Sequence, residues 1–73
     1  MNTVQAAWES YLREVVPQYA SATQVRETKQ AFYGGALIMF EMMTMLPESE
    51  NAAVAIMQGI AEELEVFTEG LPS

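Results

Sequence analysis

Hydrophobic residues recur every three or four positions along most of the chain, which is the spacing of one face of an α-helix. In the first segment this repeat consists of Val4, Trp8, Tyr11, Leu12 and Val15. Thr3 has the chemistry of a helix N-cap, and Pro17 cannot donate a backbone hydrogen bond. The pattern predicts a first helix over residues 3–16, with Glu9 and Arg13 spaced as an acid–base pair on its polar side. Tyr19, in the connector that follows, is expected to pack against the core.

The second segment is the longest stretch with helical character, and the rest of the chain is expected to pack against it. Ser21 and Gln24 have the spacing of a capping box, and Pro47 ends the segment. A stripe at intervals of seven, predicted to face the other helices, consists of Val25, Phe32, Met39 and Leu46. We predict a long central helix over residues 22–46.

The C-terminal half of this second helix carries apolar residues on nearly every side. A helix of that kind is buried on more than one face. A chain of 73 residues buries too little surface by itself, so we predict that a second copy of the protein supplies the missing cover. The predicted oligomer interface consists of Gly34, Gly35, Ile38, Phe40, Met42 and Met45.

Two adjacent glycines, Gly34 and Gly35, lie in the middle of the predicted second helix. Each costs a helix ~1 kcal/mol relative to alanine. One interpretation is a kink or local break in the helix. The other is close approach of a second helix or of a ligand, which a missing Cβ allows. Close packing is the favoured interpretation.

The third segment repeats the helical spacing. Its apolar positions are Ala53, Met57, Ile60, Leu64 and Phe67. The turn that precedes it, residues 48–51, contains acids that suit a helix start. We predict a third helix over residues 49–69. The chain as a whole is predicted to be one all-α domain over residues 1–73, forming an oligomeric helical bundle.

The amino-acid composition argues against catalysis and against a bound metal or cofactor. The chain contains no Cys, His or Asp, which removes disulfides, the usual zinc ligands and an ordinary catalytic triad. We therefore expect neither an enzyme nor a cofactor. Glu62 and Glu63, with Glu50 or Glu41, have the chemistry to bind a hard cation, but a solvated acidic face is the favoured interpretation.

Charge and hydropathy bear on the partners. The net charge is −7, and no Lys or Arg follows Lys29, so bulk electrostatics disfavour direct binding to nucleic acid or an anionic membrane. The apolar run at residues 36–46 is shorter than the ~20 residues of a membrane span. The N-terminus lacks the pattern of a signal peptide. A cytoplasmic location is expected.

One polar cluster stands out as a candidate ligand site. Arg26, Lys29, Gln30 and Tyr33 share one side of the predicted second helix. No acid lies three or four positions from either cation, and both lie near a helix N-terminus, where an anion is favoured. An aromatic ring beside two cations suits a phosphate with an attached base. The alternative is that glutamates, in this chain or in a neighbouring copy, neutralise the two cations.

The segment that contains this cluster resembles part of a known group of proteins. Residues 26–36, RETKQAFYGGA, are similar to an R-E-x-[KR]-x-A-F-Y-x-G-A core in short helical proteins of tailed bacteriophages. Trp8 and Tyr11 before a Val-Val-Pro sequence, and the late stretch over residues 60–67, resemble the same group. The resemblance implies a small phage accessory protein. Oligomeric proteins of that kind often counter host defence, some by sequestering nucleotide signals.

Three functions follow as hypotheses. The leading one is a homo-oligomeric phage protein, acting in the host cytoplasm, that binds a small anionic nucleotide signal between protomers and so counters antiviral defence. The second is an acidic inhibitor that binds a host protein by imitating nucleic-acid charge. The third is a purely structural dimerisation module. Loss of Arg26 and Lys29 should abolish the first function, and loss of Glu62, Glu63 and Glu65 the second.

Overall fold

The computed structural model describes residues 2–71, and within that range the chain forms three α-helices and no strand. α1 comprises Val4–Glu14, α2 comprises Ala22–Thr44 and α3 comprises Glu50–Glu69. The prediction of an all-α chain with three helices is confirmed. The central position of the second helix, the single domain and the oligomeric bundle stay predictions.

Each helix begins directly after a hydroxyl side chain that caps it. The Ala6 N–H donates to Thr3 Oγ1 at 3.0 Å, and the Ala52 N–H donates to Ser49 Oγ at 3.4 Å. At the start of α2 the predicted capping box forms in full. The Gln24 N–H donates to Ser21 Oγ at 3.1 Å, and the Ser21 N–H donates to Gln24 Oε1 at 2.8 Å. These bonds satisfy N–H groups that have no partner inside the helix.

α1 and α2 end earlier than predicted. α1 stops at Glu14 rather than at residue 16, and α2 stops at Thr44 rather than at residue 46. In both cases the helix ends three residues before a proline. The residue before a proline is pushed towards extended backbone, so the last predicted turn is lost. α3 ends at residue 69, as predicted, and begins one residue later, because Ser49 is its N-cap.

The chain divides into two compact units, Met1–Met42 and Met43–Ser73. In the first unit, an aromatic cluster joins α1 to α2. The ring centroid of Trp8 lies 6.1 Å from that of Tyr11 and 5.6 Å from that of Phe32, and the last two are 5.3 Å apart. Such pairs contribute about 0.5–1.5 kcal/mol each beyond the area they bury. Phe32 belongs to the predicted stripe and contacts α1, as expected.

Little of the hydrophobic surface is covered within the described residues. Trp8, with 3% exposure, is the one buried side chain there. α2 and α3 contain none. In the second unit, three of the predicted apolar positions of the third helix are exposed: Met57, Leu64 and Phe67. Within the described residues, α3 therefore presents much of its apolar face to solvent.

The fold also bears on the predictions for Tyr19 and for the two adjacent glycines of α2. The prediction that Tyr19 packs against the core is wrong, since its side chain is 91% exposed. α2 continues without a break through Gly34 and Gly35, and neither glycine has a positive φ. Apart from the neighbouring backbone of α2 itself, no atom of the described residues lies within 4 Å of a Cβ built at either position. The close packing expected at these glycines is thus not made within residues 2–71, and it stays a prediction.

Candidate anion-binding site

The four predicted ligand-binding residues line a single open depression on the surface of the first unit. Its volume is about 400 Å³, and its lining consists of Arg26, Lys29, Gln30 and Tyr33. Because α2 is continuous over residues 26–33, these side chains project from one side of the helix. The Ser21–Gln24 capping box fixes where the helix begins, and so places the two cations in its first turns. We call this surface the anion depression.

Lys29 is held against an aromatic ring. Its Nζ lies over Tyr33, 5.7 Å from the ring centroid, and both side chains are half-buried. The negative face of the ring attracts the ammonium group, an interaction worth about 0.5–1 kcal/mol at an exposed site. The contact keeps the lysine charge close to the helix surface. The cation is thus already positioned at the edge of the anion depression.

Tyr33 is itself fixed from α1. Its hydroxyl donates a hydrogen bond to Gln5 Oε1 at 2.9 Å, and Gln5 Nε2 donates to Glu9 Oε1 at 3.1 Å. Sequence reasoning missed Gln5, which lies 28 positions from Tyr33 and belongs to no local pattern. Sequence analysis also predicted an acid–base pair between Glu9 and Arg13. In the structure, Glu9 accepts from Gln5 and forms no ion pair with Arg13.

The two cations of the depression have no acidic partner within residues 2–71. They are three positions apart on the helix, a spacing at which like charges repel mildly. Arg26 is exposed, so water solvates its charge without any partner. The ligand site and its alternative, neutralisation by glutamates, both stay predictions.

A second, apolar groove adjoins the anion depression. Its volume is about 370 Å³, and it is lined by Val4, Tyr33, Ala36, Leu37 and Phe40. Tyr33 lines both surfaces. Sequence analysis placed Val4 on the apolar face of the first helix. It assigned neither Val4 nor Ala36 nor Leu37 to a ligand site, because the groove depends on where α1 meets α2. We call this surface the apolar groove.

The structure divides the predicted oligomer interface. Gly34, Gly35, Ile38 and Met42 fall within about 100° of arc on α2, at 100° per residue. Ile38 and Met42 are exposed there. Phe40 follows Ile38 by two positions, about 200° around the helix, and lines the apolar groove. Its place in the oligomer interface stays a prediction. Met45 lies beyond the end of α2 and is exposed. We call the four-residue side of α2 the glycine face.

No three acidic side chains among residues 2–71 lie together in an arrangement that would hold a metal ion, and this includes Glu41, Glu50, Glu62 and Glu63. No helix in the same range is both long enough and apolar enough to span a membrane.

Comparison with known protein families, with curated proteins and with solved structures finds no significant match. The resemblance to short phage proteins therefore stays a prediction.

Proposed function

We propose that the protein is a non-catalytic, homo-oligomeric binding protein that captures a small anionic ligand of the nucleotide class. The observation that supports this proposal is the anion depression. Four residues singled out by their chemistry line one surface, and its two cations lack acidic partners within residues 2–71. The resemblance to phage accessory proteins supplies the context, which is sequestration of a nucleotide signal of host antiviral defence in the host cytoplasm.

Three residues of the depression contact the ligand in this proposal, each with a distinct task. The planar guanidinium of Arg26 donates two parallel hydrogen bonds to a phosphate, and the ammonium group of Lys29 supplies a point charge. Gln30 offers both donors and an acceptor to the rest of the ligand. No group is needed to break a bond, so the protein would act by holding its ligand stoichiometrically.

The oligomer in this proposal forms through the glycine face. Gly34 and Gly35 leave room for another helix backbone, since no atom of residues 2–71, apart from the adjoining backbone of α2, lies within 4 Å of their missing Cβ positions. Ile38 and Met42 add exposed apolar surface on the same side. The anion depression lies on a different side of α2. In this proposal each copy therefore binds its ligand on its own surface, and not between protomers as the sequence hypothesis has it.

The test is a calorimetric titration of the protein with a panel of nucleotides. Arg26→Ala and Lys29→Ala each remove a charge-assisted hydrogen bond, worth ~1.5–3 kcal/mol, so each should weaken binding about tenfold to a hundredfold. Arg13→Ala is the matched control, because it makes the same charge change outside the depression. Equal losses in all three variants would show that only the overall charge matters.

A second candidate function rests on α3. Its glutamates Glu62, Glu63, Glu65 and Glu69 are exposed, and so are several of its apolar side chains. A helix of that kind suits an acidic inhibitor that binds a basic surface of a host protein. In an assay of phage survival, replacement of Glu62, Glu63 and Glu65 by glutamine would then abolish activity, and Arg26→Ala would not. A pure dimerisation module would tolerate both changes.

A further inference from the structure

From the arrangement of the two adjoining surfaces, we infer that the captured anion is a phosphate ester with an aromatic ring, and that this ring lies in the apolar groove. The inference rests on the proposed anion site and says where the ring of its ligand binds. It also differs from the sequence interpretation, in which the ring of Tyr33 is the platform for a base.

Tyr33 is already occupied in the structure. Its ring carries the ammonium group of Lys29, 5.7 Å from the centroid. Its hydroxyl hydrogen is donated to Gln5. A base that stacked in place of the ammonium would have to displace the cation that the phosphate needs. Tyr33 is therefore a positioning residue for Lys29, and the ring of the ligand needs apolar surface beyond the part of Tyr33 that the ammonium group covers.

The apolar groove provides that surface directly beside the cations. Tyr33 lines both surfaces, and the lining positions follow α2 in steps of three or four residues from Arg26 to Phe40. One end of this stripe is cationic and the other end is apolar. Because Lys29 Nζ is held at Tyr33, a phosphate bound there lies next to the start of the groove. The charge and the apolar surface together match an anion that carries an apolar group.

The openness of the groove favours a ring over an alkyl chain. Leu37 and Phe40 remain 58% and 63% exposed, so they form a platform and not a tunnel. A flat ring covers such a platform with one face and keeps its polar edge in water, whereas an alkyl chain would stay half exposed. Stacking on an aromatic side chain strengthens binding by roughly one to two decades. Phe40 is the aromatic side chain placed to provide it.

The experiment compares four phosphates by calorimetric titration of the full-length protein: AMP, ribose 5-phosphate, octyl phosphate and inorganic phosphate. We expect AMP to bind at least tenfold more tightly than ribose 5-phosphate. Phe40→Ala should lower the affinity for AMP to that for ribose 5-phosphate. The affinity for ribose 5-phosphate should stay unchanged. Leu37→Gln, at another exposed groove position, should act in the same direction. Phe67→Ala on α3 is the matched control, with 68% exposure and no place in the groove, and should change neither affinity.

Three results would overturn the inference. If octyl phosphate binds as tightly as AMP, the groove takes any apolar group. If AMP and ribose 5-phosphate bind equally and Phe40→Ala changes nothing, the ring has no site, although the anion depression stands. If none of the four phosphates binds the unmodified protein, the proposed function fails as well.

Discussion

The ammonium group of Lys29 lies over the ring of Tyr33, and the Tyr33 hydroxyl donates to Gln5 on α1. A cation on α2 is thus positioned by a contact that reaches the other helix of the same unit. The geometry of the anion depression therefore depends on the packing of α1 against α2, as well as on the sequence of α2.

Substitutions of Tyr33 separate the roles of its ring and its hydroxyl. Tyr33→Phe keeps the ring beneath Lys29 and should retain most of the affinity for AMP. Tyr33→Leu removes a cation–π contact of about 0.5–1 kcal/mol and should weaken binding about twofold to fivefold. Calorimetric titration measures both. An equal loss in the two variants would assign the effect to the hydroxyl and its bond to Gln5.

The capping residues should differ in their contribution to stability. Ser21→Ala should lower the free energy of unfolding by about 1 kcal/mol, because it breaks one side of a reciprocal pair. Ser49→Ala should cost less, since the Ser49 hydroxyl accepts over 3.4 Å, compared with 3.1 Å at Ser21. Urea denaturation followed by circular dichroism gives both values. A larger loss for Ser49→Ala would contradict the ranking.

Trp8→Ala should unfold the α1–α2 contact. Truncation of a buried tryptophan costs about 3–5 kcal/mol, a large fraction of the stability of so small a protein. Val15→Ala, at an exposed position just after α1, should change stability by less than about 0.5 kcal/mol. The two variants are compared by thermal denaturation with circular dichroism. Similar melting temperatures would show that the aromatic cluster contributes little.

The protein should form a dimer or a larger oligomer at micromolar concentration, because α2 and α3 bury no side chain within the described residues. Size exclusion with light scattering measures the mass. A species of 8.1 kDa at every concentration would rule the oligomer out.

Substitutions of Gly35 test where the subunits meet. Gly35→Leu should disrupt the assembly through overpacking, at about 1–3 kcal/mol. If the glycine face is instead open to solvent, Gly34→Ala and Gly35→Ala should each stabilise α2 by about 1 kcal/mol. Melting curves and mass measurements on the same variants decide between these outcomes. Higher melting temperatures with an unchanged mass would remove the glycine face from the interface.

The parts of the fold that could be predicted are those that depend on residues close in sequence. The Ser21–Gln24 box and the shared side of Arg26 and Lys29 follow from helix geometry alone. The bond between Gln5 and Tyr33 could not be predicted, since it depends on how two helices meet. The prediction that Tyr19 packs against the core failed for a related reason. The apolar character of a side chain does not by itself decide whether another element covers it.

The burial of Trp8 has a practical consequence. It is the single tryptophan of the chain, and it is enclosed beside Tyr11 and Phe32. Its fluorescence should therefore emit at short wavelength in the folded protein and shift to the red when α1 leaves α2. The protein thus carries an intrinsic optical reporter that is specific to its first unit.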